Sequence, residues 1–265
     1  MPESECRACH GGYAATLVPY SLVLDIRFRG TKGSVLERLK YMTRTEFAER
    51  IAAGLAGWFQ QLAAQNLERQ VGEDASRVEL VRMISAQQAY IPETGQRPPN
   101  WPQNTKKRID LAVLGRRVGA RGWYGAIELK WPGESIDVAE TRKAIVEDAV
   151  RVAFAETGNL CANFLVLGGT TAALAALFDT AHPQAQDQEE RRTAFNNLFH
   201  RDTANSAGVL RNAVLNEKFP DFGDRVPQTT FNGWSRRLKT ELITSAKAMV
   251  GQVEKGAVFV WQCKK

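Results

Sequence analysis

Two short apolar segments of this chain carry charged residues that a buried strand does not accept without compensation. Lys106-Lys107-Arg108-Ile109-Asp110-Leu111-Ala112-Val113-Leu114-Gly115 reads as one strand, and Trp123-Tyr124-Gly125-Ala126-Ile127-Glu128-Leu129-Lys130-Trp131-Pro132 as the next. A carboxylate set among Ile, Leu and Val costs several kcal/mol unless its charge is met, and a divalent cation is one common way of meeting it. Strand geometry sends residues two apart to the same face, so Glu128 and Lys130 project together while Ile127, Leu129 and Trp131 point the other way. If the segments pair as a hairpin, Asp110 lies beside Glu128. Two carboxylates then offer oxygen ligands to a hard cation, and the ammonium beside them can orient a water and offset developing negative charge. That chemistry suits attack on a phosphodiester.

The constellation resembles the PD-(D/E)xK nuclease superfamily, whose restriction-endonuclease-like core runs helix, strand, Asp strand, Glu-x-Lys strand, helix, strand. Glu128 to Lys130 is the only acid-x-Lys triplet in the chain, while Ile109 stands where the family's name-giving pattern has Pro. The expected elements follow in that order: a helix from about Thr43 to Asn66, a strand from Arg77 to Ile84, the two motif strands, a helix from about Val138 to Glu156, and a strand from Asn163 to Leu167. The resemblance implies an α/β fold with a mixed central sheet flanked by helices, and N- and C-terminal additions. It implies a metal-dependent endonuclease in which Asp110 and Glu128 bind Mg²⁺ or Mn²⁺ and Lys130 positions the attacking water. The main-chain carbonyl of Leu129 is a further ligand that the resemblance suggests. Family members also place an acid near the start of the first helix, where Glu46 and Glu49 stand, although both read as solvated. The helix after the motif strands often presents a basic residue to the scissile phosphate, and Arg142 and Lys143 are the candidates by position.

Charge distribution fits a polyanionic partner, DNA foremost. The net charge is +6, and between Arg97 and Trp131 eight basic residues face only Asp110 and Glu128. Lys106, Lys107 and Arg108 form the densest part of this collar and, with Arg142, are the expected nucleic-acid contacts. Homodimerisation stays open. With 44% hydrophobic and 24% charged residues, the chain has the make-up of a globular domain with a sizeable core. No window has the apolar length of a membrane span, and Met1-Pro2-Glu3-Ser4-Glu5 lacks the basic start and apolar run of a signal peptide, so a cytoplasmic location is the expectation.

The expected organisation is an N-terminal extension with one strand over 1–34, a nuclease core over 35–180 and a mainly helical portion over 181–265 that ends in the strand Ala257-Val258-Phe259-Val260-Trp261. Pro92, Pro98, Pro99 and Pro102 predict an irregular loop ahead of the Asp strand, and Val166-Leu167-Gly168-Gly169-Thr170-Thr171-Ala172 a tight strand-to-helix turn without the Lys of a phosphate loop. Phe231 to Lys239 interleaves aromatic and basic residues, which suits either a packed amphipathic helix or contacts to bases and phosphates. Two rival functions stand beside the nuclease. One is a non-catalytic nucleic-acid-binding or assembly protein of the same fold. The other is a metallo-redox protein built on Cys6-Arg7-Ala8-Cys9-His10, whose C-x-x-C-H spacing matches haem attachment or half a zinc site, although the expectation for these thiols is that they are unligated.

Overall fold

The structure, a computed structural model, describes residues 42–101, 103, 106, 108–116, 123–133, 136–155, 162–179, 193, 195–201, 207–211 and 237–264. All of these fall in one compact unit, 39–265. The strand expected within 12–30 and the Cys6-Cys9-His10 group lie outside the described residues. None of the described helices is long and apolar enough to cross a membrane.

The first helix, α1 (Arg44–Ala64), starts where Thr43 and Glu46 cap each other's backbone N–H, the reciprocal arrangement that satisfies two otherwise orphaned donors. Phe47, Ile51, Leu55 and Phe59 recur every fourth residue and are all buried. After a 3₁₀ turn (Glu68–Gln70), α2 spans Glu73–Ser85. The strand expected from Arg77 to Ile84 is therefore a helix. Ser76, Leu80 and Ile84 are buried at a spacing of four, whereas Val78, which a strand would place on Leu80's face, is 69% exposed.

The first strand is instead β1 (Tyr90–Gln96), which takes in Pro92. It forms one edge of the sheet, where a residue lacking an N–H is tolerated, so the irregular loop starts later than Pro92 suggests. Then come β2 (Ile109–Gly115), β3 (Trp123–Lys130), α3 (Val138–Ala153, capped by the Asp137 carboxylate), β4 (Ala162–Thr170) and α4 (Thr171–Phe178, capped by Thr170). The expected order recurs with two changes: α2 stands between the first helix and the first strand, and that strand is β1 rather than Arg77 to Ile84.

β1, β2 and β3 form an antiparallel meander and β4 runs parallel to β3. Residues 181–265 are not a mainly helical portion in their described part. After one short helical turn at 195–198, β5 (Ala207–Arg211), β6 (Arg237–Val250) and β7 (Val253–Lys264) extend the same sheet antiparallel, in the order β1-β2-β3-β4-β7-β6-β5. The helix expected from Phe231 is a strand from Arg237 on, because Leu238 and Thr240 are buried while Lys239 is exposed, a period of two. Trp234 lies outside the described residues.

Helices cover both faces of this mixed α/β sheet. α1 and α2 pack on the face presenting Leu111, Val113, Ile127, Leu129, Phe164, Val166, Val258 and Val260. α3, α4 and Phe195–Phe199 cover the opposite face with Ala126, Leu165, Leu167, Leu238, Phe259 and Trp261. Trp131 continues the Ile127, Leu129 alternation into the first core, 5.3 Å from Phe59 ring to ring. It lies over Gly168, where any Cβ would come within 2.1 Å of the indole. That seat fixes the end of β3, and Lys130 is thereby committed to the other face.

Two glycines should respond oppositely to alanine. At Gly256 a Cβ would meet the Gly169 carbonyl oxygen at 2.3 Å, so Gly256→Ala forces the β4–β7 ladder apart and should cost about 1–3 kcal/mol. Gly57, exposed in the middle of α1, has nothing within 4 Å of its Cβ position, and Gly57→Ala should stabilise by about 0.5–1 kcal/mol through helix propensity. Urea unfolding midpoints moving in opposite directions check this pair.

Candidate active site

The β2–β3 register pairs Leu111 with Ile127 and Ala112 with Ala126, so one step further along brings Asp110 opposite Glu128 on the face turned to α3. Asp110 Oδ2 accepts from the backbone N–H of Leu129 at 3.0 Å, which pins the carboxylate against the Glu128-Leu129-Lys130 segment. Glu128 is fully buried, whereas the side chains of Asp110 and Lys130 are 21% and 22% exposed. Asp110, Glu128 and Lys130 are thus brought together at the end of β3.

Further charged groups come from the two helices that frame this end. From α3, Arg151 grips Glu128 through both oxygens: its Nε lies 2.6 Å from Oε1, off the N–H direction, and its terminal nitrogen donates to Oε2 at 3.0 Å. The same guanidinium donates to Asp148, three residues earlier on the helix. Asp148 Oδ2 lies 3.1 Å from Lys130 Nζ. From the start of α2, Glu73 accepts from Lys130 Nζ at 3.2 Å and from Arg77 at 2.9 Å, and Arg77 reaches Asp110 at 3.4 Å. Among the described residues, four carboxylates (Glu73, Asp110, Glu128, Asp148) therefore share three cations (Arg77, Lys130, Arg151), and Arg77 also bridges to the exposed Asp74.

The electrostatics follow from burial and from that imbalance. Burial, then the neighbouring Asp148, pushes the Glu128 carboxyl well above its usual range, and Arg151 only partly offsets them. Burial likewise raises Asp148 against the pull of Arg151 and Lys130, and raises Glu73 against that of Lys130. Burial disfavours the Lys130 ammonium, but Asp148 and Glu73 outweigh it, so its pKa is raised and the group stays charged at neutral pH. Arg151 is held more firmly protonated still, Glu128 and Asp148 overcoming its burial.

As the side chains lie, no group of three or more His, Cys, Asp or Glu is arranged to hold a metal ion among the described residues. Asp110 and Glu128 are nevertheless a carboxylate pair of the kind that Mg²⁺ takes, since that ion commonly binds one or two carboxylates and completes its octahedron with water and phosphate. Glu128 Oε1 and Asp148 Oδ2 are buried and met by cations, Arg151 Nε at 2.6 Å and Lys130 Nζ at 3.1 Å, so a metal ion taking either oxygen would have to displace a contact of the chain's own.

The remaining expected residues are placed differently. Arg142 is 1% exposed and donates to the carbonyls of Leu177 and Asp179 at 2.8 Å, tying down the end of α4; it is a buried structural donor rather than a nucleic-acid contact. Its position on α3 turns it from the site, and Arg151, nine residues on, is the guanidinium that reaches the carboxylates. Lys143 lies 4.0 Å from Glu140 on the same helix. Glu46 serves the α1 cap and Glu49 is exposed, so the acid supplied by a preceding helix is Glu73 of α2. Lys106 and Arg108 are exposed ahead of β2, as is Arg116 after it, and Lys107 lies outside the described residues. Of the other cysteines, Cys161 lies outside the described residues and Cys263 is a buried thiol whose pKa burial raises.

A pH dependence of stability follows. Carboxyls with raised pKa hold protons in the folded state that the unfolded chain has already released, so folding stability falls as pH climbs from the ordinary carboxyl range, about pH 4, towards their folded values. In EDTA, wild-type protein should lose stability with rising pH over this window more steeply than Glu128→Gln, in which the most affected carboxyl no longer titrates. Denaturant unfolding at a series of pH values measures both slopes; parallel curves would contradict it.

No protein-family model, curated protein or solved structure matches the chain, so what the cluster does is read from its own side chains.

Proposed function

We propose that the chain is a metal-dependent nuclease of the PD-(D/E)xK type that hydrolyses phosphodiester bonds, in DNA foremost, with Mg²⁺ or Mn²⁺. The observation that carries this reading is the convergence of Asp110, Glu128 and Lys130 at one end of β3, with more carboxylate than cation around them. The antiparallel β1–β2–β3 meander with β4 parallel to β3 agrees with the resemblance.

Asp110 and Glu128 would hold the cation, which when bound supplies Lewis-acid charge and an activated water. Lys130, kept protonated by Asp148 and Glu73, serves as a charged donor towards the phosphate oxygens rather than as a base. Its partial exposure, with that of Asp110, leaves the strand end open to a backbone phosphate while Glu128 stays behind them. Exposed Lys106, Arg108 and Arg116 flank β2 and would meet neighbouring phosphates.

A second reading draws on the same contacts. With Arg151 against both Glu128 oxygens, the cluster would be a staple joining the sheet to its helices, in a protein that binds nucleic acid without cutting it.

Incubation with single- and double-stranded DNA and RNA, in Mg²⁺, Mn²⁺ or EDTA, separates the two. The nuclease reading expects metal-dependent cleavage that falls on the order of 100-fold or more in each of Asp110→Ala, Glu128→Ala and Lys130→Ala, since groups acting together in a transition state are lost together. Asp110→Asn should keep or raise metal-free DNA affinity, having lost one negative charge, and still not cut. Salt-sensitive binding with no cleavage of any substrate in either metal would leave only the staple.

A further inference from the structure

The proposed metal ligand Glu128 and the guanidinium of Arg151 occupy each other's binding positions. Glu128 has no solvent contact, and ionised it needs a positive partner. Arg151 supplies one by lying along both carboxylate oxygens. The contact is uneven: the Oε2 side is a directed hydrogen bond, while Oε1 faces Nε at 2.6 Å without a hydrogen-bonding angle. Arg151 is also divided, since the nitrogen that serves Glu128 Oε2 serves Asp148 as well. Arg151 is therefore a counter-ion on a site with one carboxylate too many.

Resting on the nuclease reading above, we propose that Arg151 is the resident counter-ion of the metal-free site, competing with the divalent cation for Glu128 and giving way when the cation binds. Two positive charges beside Glu128 repel the guanidinium and remove its reason to stay. Asp148, on the same helix one turn back, retains it nearby. Arg151 is 19% exposed at the side chain, so it is not sealed in as Glu128 is. Arg151 is on this view a positioning residue: it holds the buried carboxyl group aimed before metal arrives, at the expense of metal affinity.

A supporting residue and a competing one predict opposite signs. Loss of a mere support would leave Glu128 misplaced and weaken metal binding. Loss of a competitor strengthens it. Calorimetric titration of Mn²⁺ into wild type, Arg151→Ala and Arg151→Lys, in nucleic-acid-free buffer at neutral pH, should give an affinity on the order of tenfold tighter for Arg151→Ala, with Arg151→Lys between, tenfold being about 1.4 kcal/mol. Wild-type protein provides an independent check should the variants not fold. On saturation with diamagnetic Mg²⁺, the Arg151 Nε–H resonance should shift and exchange faster with solvent as its carboxylate partner is taken. Unchanged or weaker Mn²⁺ binding by folded Arg151→Ala, or an Arg151 resonance indifferent to Mg²⁺, overturns the competition while leaving metal-dependent cleavage by wild type untouched. Failure of both wild type and Arg151→Ala to bind Mn²⁺ overturns the nuclease reading, and the competition with it.

Discussion

Burial of the Glu128 carboxylate is the constraint around which this end of the molecule is arranged. An ion without solvent in a sheet strand is costly by several kcal/mol, and a single partner seldom repays it. Here the repayment is distributed. Arg151 meets Glu128, Asp148 meets both Arg151 and Lys130, Glu73 takes the other side of Lys130, and Arg77 closes the chain of contacts to Asp110. Each link also ties an element in place, so α2, β2, β3 and α3 are held in mutual register by the charges they share.

Apolar packing sets the positions that make those links reachable. β3 is buried on both faces, and its alternation gives Ile127, Leu129 and Trp131 to the core under α1 and α2. Glu128 and Lys130 are left to the opposite face, where Ala126 keeps α3 close. Trp131 in its slot over Gly168 prevents the slip of one residue that would exchange the two sets. The long β6–β7 hairpin turns at Gly251, whose φ of 62° suits the tight two-residue connection between Val250 and Val253. It then lays β7 against β4, extending the sheet well beyond the strands that carry the site.

What the sequence discloses follows from where its signals are local. Asp110, Glu128 and Lys130 stand out because an acid in an apolar strand is anomalous on its own segment, and pairing two strands that are consecutive in the chain needs no distant information. The strand misread from Arg77 to Ile84 has alternation as well as helical spacing, and the exposure of Val78 that decides the matter is a tertiary property. Glu73, Asp148 and Arg151 are missed for a different reason. On a helix, acids and bases three or four apart look like ordinary solvated pairs, and which of them turns inward depends on the rotation of the helix against the sheet. Arg142 shows the same ambiguity from the other side: it reads as a nucleic-acid contact and is one of the most buried large side chains.

The charge balance bears on the two readings of this cluster. A brace works best with opposite charges matched in number, since every unmatched buried carboxylate raises the pKa of its neighbours and lowers the stability of the fold at neutral pH. Burial first, and the neighbouring acids after it, raise Glu73, Glu128 and Asp148, so the cluster sits on the costly side of that balance. Removing one acid, or adding one lysine, would relieve it without disturbing the apolar cores on either face. On the nuclease reading, the excess negative charge at a strand end with partly exposed Asp110 and Lys130 would be completed by a positive charge from outside the chain. The fold then carries a stability cost at neutral pH that cation binding would recover.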